Sequence, residues 1–256
     1  MSERRVAVIT GGATGIGGAC TARFRQEGWN VVIGYYAEEE RIAADRLIAE
    51  AEAAGCEAIA VRADVSKDDD CRALAAAAEQ HFGRIDALVS SAGTTRMVPA
   101  NDLEGLNFDD FIRCTGVNTA GPFQIARACA RLLAEGEGGG IVIVSSYGGI
   151  FGNGSSIAYA ASKGAANTLT LSLARVLAPK IRVNAVCPAL VSGGMVHRMD
   201  PGIFDARAAA QAERAPLRKV AKPEEVAADI YWLAAGTTLM TGHIIMLDCG
   251  MHLNAE

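Results

Sequence analysis

The sequence predicts a single α/β domain: a doubly wound, seven-stranded parallel sheet covered by helices on both faces. Short apolar runs of strand length recur along the chain, as expected for strands buried on both faces. Helix-type segments separate them, and that alternation builds parallel crossover units. No Pro/Gly/Ser-rich linker, low-complexity run or internal repeat divides the chain, so residues 1–256 read as one unit with one large core.

The first strand is Arg5 to Thr10, followed by glycines and a helix from about Gly15 to Glu27. Asn30 to Tyr35 is the second strand. An Ala/Glu/Arg-rich helix then runs from Glu38 to Ala54, with Gly55 as its C-cap. Glu57 to Arg62 is strand three, Asp68 to Phe82 a helix, and Asp86 to Val89 strand four. A long helix covers Phe108 to Ala134 and is broken by the run Gly136-Glu137-Gly138-Gly139-Gly140. Ile141 to Ser145 is strand five, Ser155 to Ala178 a helix ended by Pro179, and Ile181 to Val186 strand six. Residues from Cys187 to about Ala221 are irregular, with a helix over Ile203 to Glu213. Pro223 opens a final helix to Ala235, and Ile244 to Leu247 closes the sheet.

Composition excludes several classes. Lys and Arg number 24 against 29 Asp and Glu, a net charge of −5 with the basic residues scattered, which argues against a nucleic-acid surface. No apolar run reaches the length of a membrane span, and the start, Met1-Ser2-Glu3-Arg4-Arg5, lacks the apolar region of a secretory signal. The seven cysteines form no Cys-x-x-Cys pair, which fits free thiols in a reducing cytoplasm, most of them simply packing. The four histidines are far apart and lack zinc-type spacing, so no metal is expected.

Two motifs carry chemistry. Tyr159-Ala160-Ala161-Ser162-Lys163 puts a phenol and an ammonium four apart on one helix face. A free Tyr titrates near a pKa of about 10, roughly 4 kcal/mol from neutrality, and a neighbouring cation is expected to lower that value into a range useful for acid–base catalysis. The second motif, Thr10-Gly11-Gly12-Ala13-Thr14-Gly15-Ile16-Gly17, joins strand one to helix one. Glycines there let the backbone approach a pyrophosphate, and the helix N-terminus offers N–H groups and a positive dipole end.

With these motifs the chain resembles the short-chain dehydrogenase/reductase family over essentially its whole length, a Rossmann-type fold. Thr10 to Gly17, with Gly11, Thr14, Gly15, Ile16 and Gly17 as contacts, resembles that family's cofactor loop, and Tyr35 and Tyr36 end strand two beside it. Asp64-Val65 resembles the adenine-contacting segment. Ser90-Ser91-Ala92-Gly93 stands where the family usually has Asn-Asn-Ala-Gly, with Ser91, Ala92 and Gly93 expected at the cofactor. Asn184 to Pro188 resembles the nicotinamide-side segment; Ala189 replaces a usual Gly, Gly193 stands where a carboxamide-binding Thr is common, and Ser192 is the substitute, with Pro188 and Val191 as contacts. Thr241-Gly242 and Asp248-Cys249-Gly250 resemble the family's ending, again with one Gly replaced.

The resemblance implies hydride transfer between a nicotinamide and a carbonyl or alcohol, with Asn118, Ser146, Tyr159 and Lys163 as the catalytic set. Tyr159 would exchange the proton with the substrate oxygen, and Ser146 would hydrogen-bond that oxygen. Lys163 would lower the Tyr159 pKa and hold the ribose, and Asn118 would hold a water linking Lys163 to solvent. NADP(H) is favoured over NAD(H), because Gly34-Tyr35-Tyr36 offers no carboxylate at the end of strand two and none follows until Glu38. Arg41 is a candidate for the phosphate, though more readily a solvated charge.

The substrate loop spans about residues 188–221, joined above the sheet by Thr94 to Ala100 and Tyr147 to Ser156. Tyr147, Ile150, Phe151, Met195 and Met199 are expected to form a mainly apolar wall, with Arg96 more readily a surface charge than an anion contact. The pattern is similar to β-ketoacyl-carrier-protein reductases and to sugar or polyol dehydrogenases, and implies a homotetramer in the cytoplasm acting on a small molecule. The alternative is a catalytically silent dinucleotide-binding redox sensor or regulatory protein.

Overall fold

Seven strands lie in the order β3-β2-β1-β4-β5-β6-β7, all parallel: β1 (Val6–Thr10), β2 (Asn30–Tyr35), β3 (Ala58–Arg62), β4 (Ala87–Ser90), β5 (Gly139–Val144), β6 (Ile181–Pro188) and β7 (Ile244–Leu247). This computed structural model describes residues 4–135 and 138–254. Met1 to Glu3 of the predicted start, and Gly136 and Glu137 of the predicted helix-breaking run, lie outside the described residues.

Strand side chains alternate between faces, so two apolar layers form and each strand reads as continuously apolar. Ala7 and Ile9 of β1 point into one layer with Val31, Ile33, Phe24, Trp29 and Ile230. Val6 and Val8 point into the other, with Leu74, Ile125, Leu133, Ile141 and Leu173. In the first layer Phe24, Trp29 and Tyr231 meet edge to face, with ring centroids 5.1, 5.1 and 6.2 Å apart.

The helices in chain order are α1 (Gly15–Gln26), α2 (Arg41–Ala53), α3 (Asp68–Phe82), α4 (Phe108–Thr115), α5 (Gly121–Ala134), α6 (Gly148–Phe151), α7 (Ile157–Leu177), α8 (Met195–Met199), α9 (Pro201–Arg214) and α10 (Pro223–Tyr231). Three departures from the sequence reading have local causes. The helix expected from Glu38 starts as a 3₁₀ turn, Glu38–Glu40, because the Glu40 carboxylate bonds back to the Tyr36 and Ala37 N–H groups. The long helix is not uniform: a π-turn over Gly116–Ala120 separates α4 from α5. In the region read as irregular, Asp200 caps Ile203 N at 2.9 Å and Pro201 takes the first position, so α9 begins two residues early, after a separate short α8.

Parallel strands put all their carboxyl ends on one edge. β1 and β4 are sheet neighbours, with Thr10 opposite Ser90, while their connections leave towards opposite sides. That switch point opens a crevice at the carboxyl edge. The segment after β6 folds over it and is pinned at its base by a bridge between Val191 and Ala221 and by Ser192 N donating to Ala221 O at 3.0 Å.

At the opposite edge, backbone meets backbone. A Cβ on Gly140 of β5 would fall 2.1 Å from the Ala234 carbonyl oxygen, in a π-turn over Trp232–Gly236 whose carbonyls at Leu233 and Ala234 accept from Arg182 at 2.7 and 2.6 Å. Gly140→Ala is therefore expected to cost about 1–3 kcal/mol, the usual range for overpacking, measured as a lower urea midpoint with an unchanged slope.

Candidate functional site

The crevice is a cavity of about 760 Å³ lined from both halves of the sheet. Its first wall is the turn after β1. Gly11 has φ +62 and Gly15 φ +56, backbone that L side chains rarely adopt. A Cβ on Gly11 would sit 3.0 Å from Ala92 Cα, and one on Gly17 would sit 2.1 Å from the Gly11 oxygen. The Thr10 hydroxyl accepts from Ser91 N and Ala92 N at 3.1 and 3.2 Å, tying this turn to the end of β4. Gly11, Thr14, Gly15 and Ile16 face the cavity. Gly17 does not; it is buried beneath them and lets α1 close onto the loop. A backbone-lined cradle at the N-terminus of a twelve-residue helix fits a dinucleotide pyrophosphate.

Next to it lie Tyr35, Tyr36, Asp64, Val65, Ser91, Ala92 and Gly93, all in the cavity wall. Asp64 is positioned by Ser66, whose N and Oγ donate to its carboxylate at 3.0 and 2.7 Å. Sequence reasoning missed Glu40. Its Oε2 accepts from Tyr36 N and Ala37 N at 3.0 and 3.3 Å, its Oε1 accepts from the Thr14 hydroxyl at 3.2 Å, and it lines the cavity. A carboxylate therefore does stand beside the end of β2, brought back by a turn instead of carried on the strand. Arg41 is not in the lining; its guanidinium is held 2.8 Å from Asp45 and lies over the Tyr35 ring, 5.9 Å from its centre.

The other wall is built by β5 and α7. Ser156 caps α7, accepting from Tyr159 N at 3.2 Å, which sets the first turn and aims Tyr159 into the cavity. Lys163 follows one turn on, 4% exposed, with Nζ donating to Val144 O at 2.8 Å and lying 5.8 Å from the centre of the Tyr159 ring. Ser145 Oγ donates to Lys163 O at 3.1 Å, so strand and helix are stitched twice at the same point. Ser146 lines the cavity, its Oγ accepting from Gly148 N at 3.1 Å. Pro188 and Val191 complete this side.

Glycine cradle, tyrosine, lysine and serine thus share one crevice, and comparison with known proteins gives this arrangement a family. The model of a family described as enoyl-(acyl carrier protein) reductase matches residues 11–252. The chain is 36% identical over 251 residues to the 3-oxoacyl-[acyl-carrier-protein] reductase of Thermotoga maritima, covering 97% of this chain and 98% of that one. It is 32% identical over 252 residues to glucose 1-dehydrogenase 2 of Bacillus subtilis, covering 97% and 95%. A crystal structure from Burkholderia xenovorans, assigned as a short-chain dehydrogenase/reductase, superposes with a TM-score of 0.91 at 42% identity, covering 99% of this chain and 100% of that one. This chain belongs to the short-chain dehydrogenase/reductase family. It is an oxidoreductase of that family, and the family membership implies a nicotinamide dinucleotide.

The remaining sequence expectations fare unevenly. Asn118 is fully buried in the π-turn and does not reach the cavity. Its Nδ2 donates to Thr94 O and to Ser162 Oγ, both at 2.9 Å, and its Oδ1 accepts from Thr94 N at 2.9 Å. The amide side chain is occupied in pinning a loop to α7. Of the expected apolar wall, Tyr147 and Met195 line the cavity; Ile150, Phe151 and Met199 are exposed outside it, with Phe151 stacked on Tyr147 at 4.4 Å. Ser192 and Gly193 are not in the lining, whereas Leu190 and Gly194 are. Arg96 is a surface charge paired with Asp110 at 2.6 Å. Thr95 and Ser155, unremarked in the sequence, meet at 2.5 Å between their hydroxyls at the cavity edge.

The electrostatics differ from the expected cation beside a phenolate. Burial pushes the Tyr159 phenol above its ordinary value, and the Ser146 hydroxyl pulls it the other way. Burial also pushes Lys163 down to about 8. Burial penalises charge on both groups, and the amine donates to a carbonyl, Val144 O. Between about 8 and the ordinary amine value near 10.5 the unfolded chain holds a proton that the folded one has released, so this group's contribution to stability rises with pH across that window. Below pH 8 the cost of the buried charge is fully present. In ¹³C-lysine-labelled, cofactor-free protein, one Cε resonance is expected to titrate near 8 and to be missing in Lys163→Met; a uniform set of titrations near 10.5 contradicts the assignment.

Proposed function

We propose that this protein reduces a carbonyl group on a small 3-oxo-type substrate with a nicotinamide dinucleotide, Tyr159 acting as the proton donor. The observation that carries the reading is the placement of Tyr159, Ser146 and Lys163 on the wall facing the glycine cradle, within one cavity. The 3-oxoacyl reductase of Thermotoga maritima supports the substrate class. When bound, the dinucleotide supplies the hydride.

Tyr159 is protonated at neutral pH, the state the reductive direction needs; burial makes it a weaker acid, and the Ser146 hydroxyl pulls the other way. The Ser146 hydroxyl donates to the carbonyl oxygen and stabilises charge growing there. The Lys163 ammonium, still protonated below about pH 8, holds the ribose hydroxyls and favours the phenolate left after donation. Asn118 acts by fixing Thr94 and Ser162, which hold the loop and helix around Lys163. A silent sensor has no need of such a set on one cavity wall.

The choice of dinucleotide turns on Glu40. The expectation of NADP(H) rested on an acid-free end of β2. The Glu40 carboxylate now occupies the Tyr36 and Ala37 N–H groups and the Thr14 hydroxyl, the donors a 2′-phosphate would use, and it adds like charge. Among the described residues the cations lining the cavity are Lys163 and three arginines at 113, 207 and 214, none from the segment around Glu40. NAD(H) is the better fit.

The assembly follows the family as a homotetramer through α4 and α5, where Phe108, Phe111 and Ile112 form an exposed apolar strip at helical spacing. Its place is the cytoplasm; among the described residues, no helix is long and apolar enough to cross a membrane.

Two measurements test the reading. Tyr159→Phe is expected to lower kcat by about 10²–10⁴-fold, the usual worth of a general acid, while NADH binding followed by fluorescence stays within a few-fold; near-wild-type turnover refutes the role. Glu40→Gln keeps an acceptor for the two N–H groups and removes the charge. It is expected to improve NADPH relative to NADH by at least about ten-fold in Kd, given a Coulomb term of several kcal/mol at close range. An unchanged ratio refutes the selection.

A further inference from the structure

The substrate end of the cavity is more cationic than reduction of a neutral ketone requires. One face of α9 lines it with Arg207, Gln211 and Arg214, at i, i+4 and i+7. Gln211 is 8% exposed. Its Oε1 accepts from Leu190 N at 3.1 Å, which fixes the amide plane, and its Nε2 is buried with no hydrogen-bond partner among the described residues. Buried donors are rarely left unpaired because the desolvation is uncompensated. Here the residue is part of the cavity wall, so the missing acceptor belongs to a ligand.

The charge distribution indicates what kind of acceptor. Among the described residues, the carboxylates lining the cavity are Glu40 and Asp64, both beside the ends of β2 and β3; none lines it at α9. The chain as a whole carries −5, so two arginines facing the same cavity are a local feature and not a basic background. Burial and the Asp248 carboxylate push the Tyr147 phenol up and Arg214 pulls it the other way, so both charges lie near that ring, next to Ser146; Asp248 itself is held by His252 and is not in the cavity wall.

We propose that the carbonyl substrate bears a carboxylate, received by Arg207, Arg214 and the Gln211 amide: a keto acid, not a neutral ketone or a sugar. The proposal rests on the carbonyl-reductase reading. Guanidinium pairs match carboxylates bidentately and an amide N–H adds a directed contact. The carboxylate takes no part in the bond changes; it fixes which way the chain lies, so that the keto oxygen meets Tyr159 and Ser146.

The experiment compares the 2-oxo, 3-oxo and 4-oxo isomers of pentanoate with their methyl esters, using the full-length protein with NADH. At least one acid is expected to exceed its ester in kcat/KM by about ten-fold or more, with an advantage that shrinks as salt is raised. In Arg214→Met, and in Gln211→Glu, which keeps an acceptor for Leu190 N–H, the acid-to-ester ratio is expected to fall towards one. Esters turned over as well as acids overturn the proposal and leave the reductase reading intact. A weakened NADH Kd with an unchanged ratio assigns α9 to the dinucleotide and also overturns it. If neither acids nor esters turn over, the reductase reading fails, and calorimetry on the protein–NADH complex decides the site separately. Acid binding that is lost in Arg214→Met upholds it, and no acid binding overturns it.

Discussion

The docking of α7 on the carboxyl end of β5 is the constraint on which the rest depends. Lys163 reaches the Val144 carbonyl through Nζ, and its own carbonyl receives the Ser145 hydroxyl. One residue before it, Ser162 takes the Asn118 amide on its hydroxyl and the Thr119 hydroxyl on its carbonyl. The helix is thus held by polar contacts at one level and by apolar packing of Ala166, Leu173 and Ala174 further along. Polar contacts are directional, so this level fixes the rotation of α7 about its axis. Rotation decides whether Tyr159 faces the crevice. Buried polar groups of this kind are costly when unpaired, which is why the network closes on itself.

The same burial sets the chemistry. Burial of the two side chains raises the phenol and lowers the amine, so the resting site is biased towards a neutral tyrosine and a weakly held proton on the lysine. Cys114 and Cys187 lie close enough to interact with both groups, yet burial pushes both thiols up, so they remain uncharged packing partners. The phenol therefore rests in its protonated form, and burial makes it a weaker acid than a free tyrosine, an effect the Ser146 hydroxyl works against.

Most of the fold was legible because its signals are periodic and local. Buried parallel strands must read as apolar runs, and the glycines at 11, 15 and 17 answer to backbone geometry that other residues cannot adopt or fit. Tyr159 and Lys163 share a helix face by spacing alone. What escaped was set by tertiary return. Glu40 reaches the crevice because a 3₁₀ turn brings its carboxylate back onto Tyr36 and Ala37. The available signal was the acidic run Glu38-Glu39-Glu40 directly after β2, which cannot say which member folds back. Asn118 was placed near the right neighbours, but no sequence pattern reveals that its amide is consumed by Thr94 and Ser162. Gln211 was invisible for the same reason: burial of one amide depends on how the loop after β6 closes.

The loop after β6 brings cations to the cavity wall, whereas the wall after β2 and β3 carries carboxylates. Glu40 and Asp64 follow β2 and β3, and Arg207 and Arg214 come from α9. Such a gradient orients ligands before contact, since charges in a low-dielectric crevice act over longer distances than in water. The loop is also held by the ligand-facing residue itself: Gln211 secures Leu190 N, beside Pro188 and Val191 on the cofactor wall. One amide therefore touches both halves of the site, its oxygen fixing the backbone that borders the dinucleotide and its nitrogen left for the substrate.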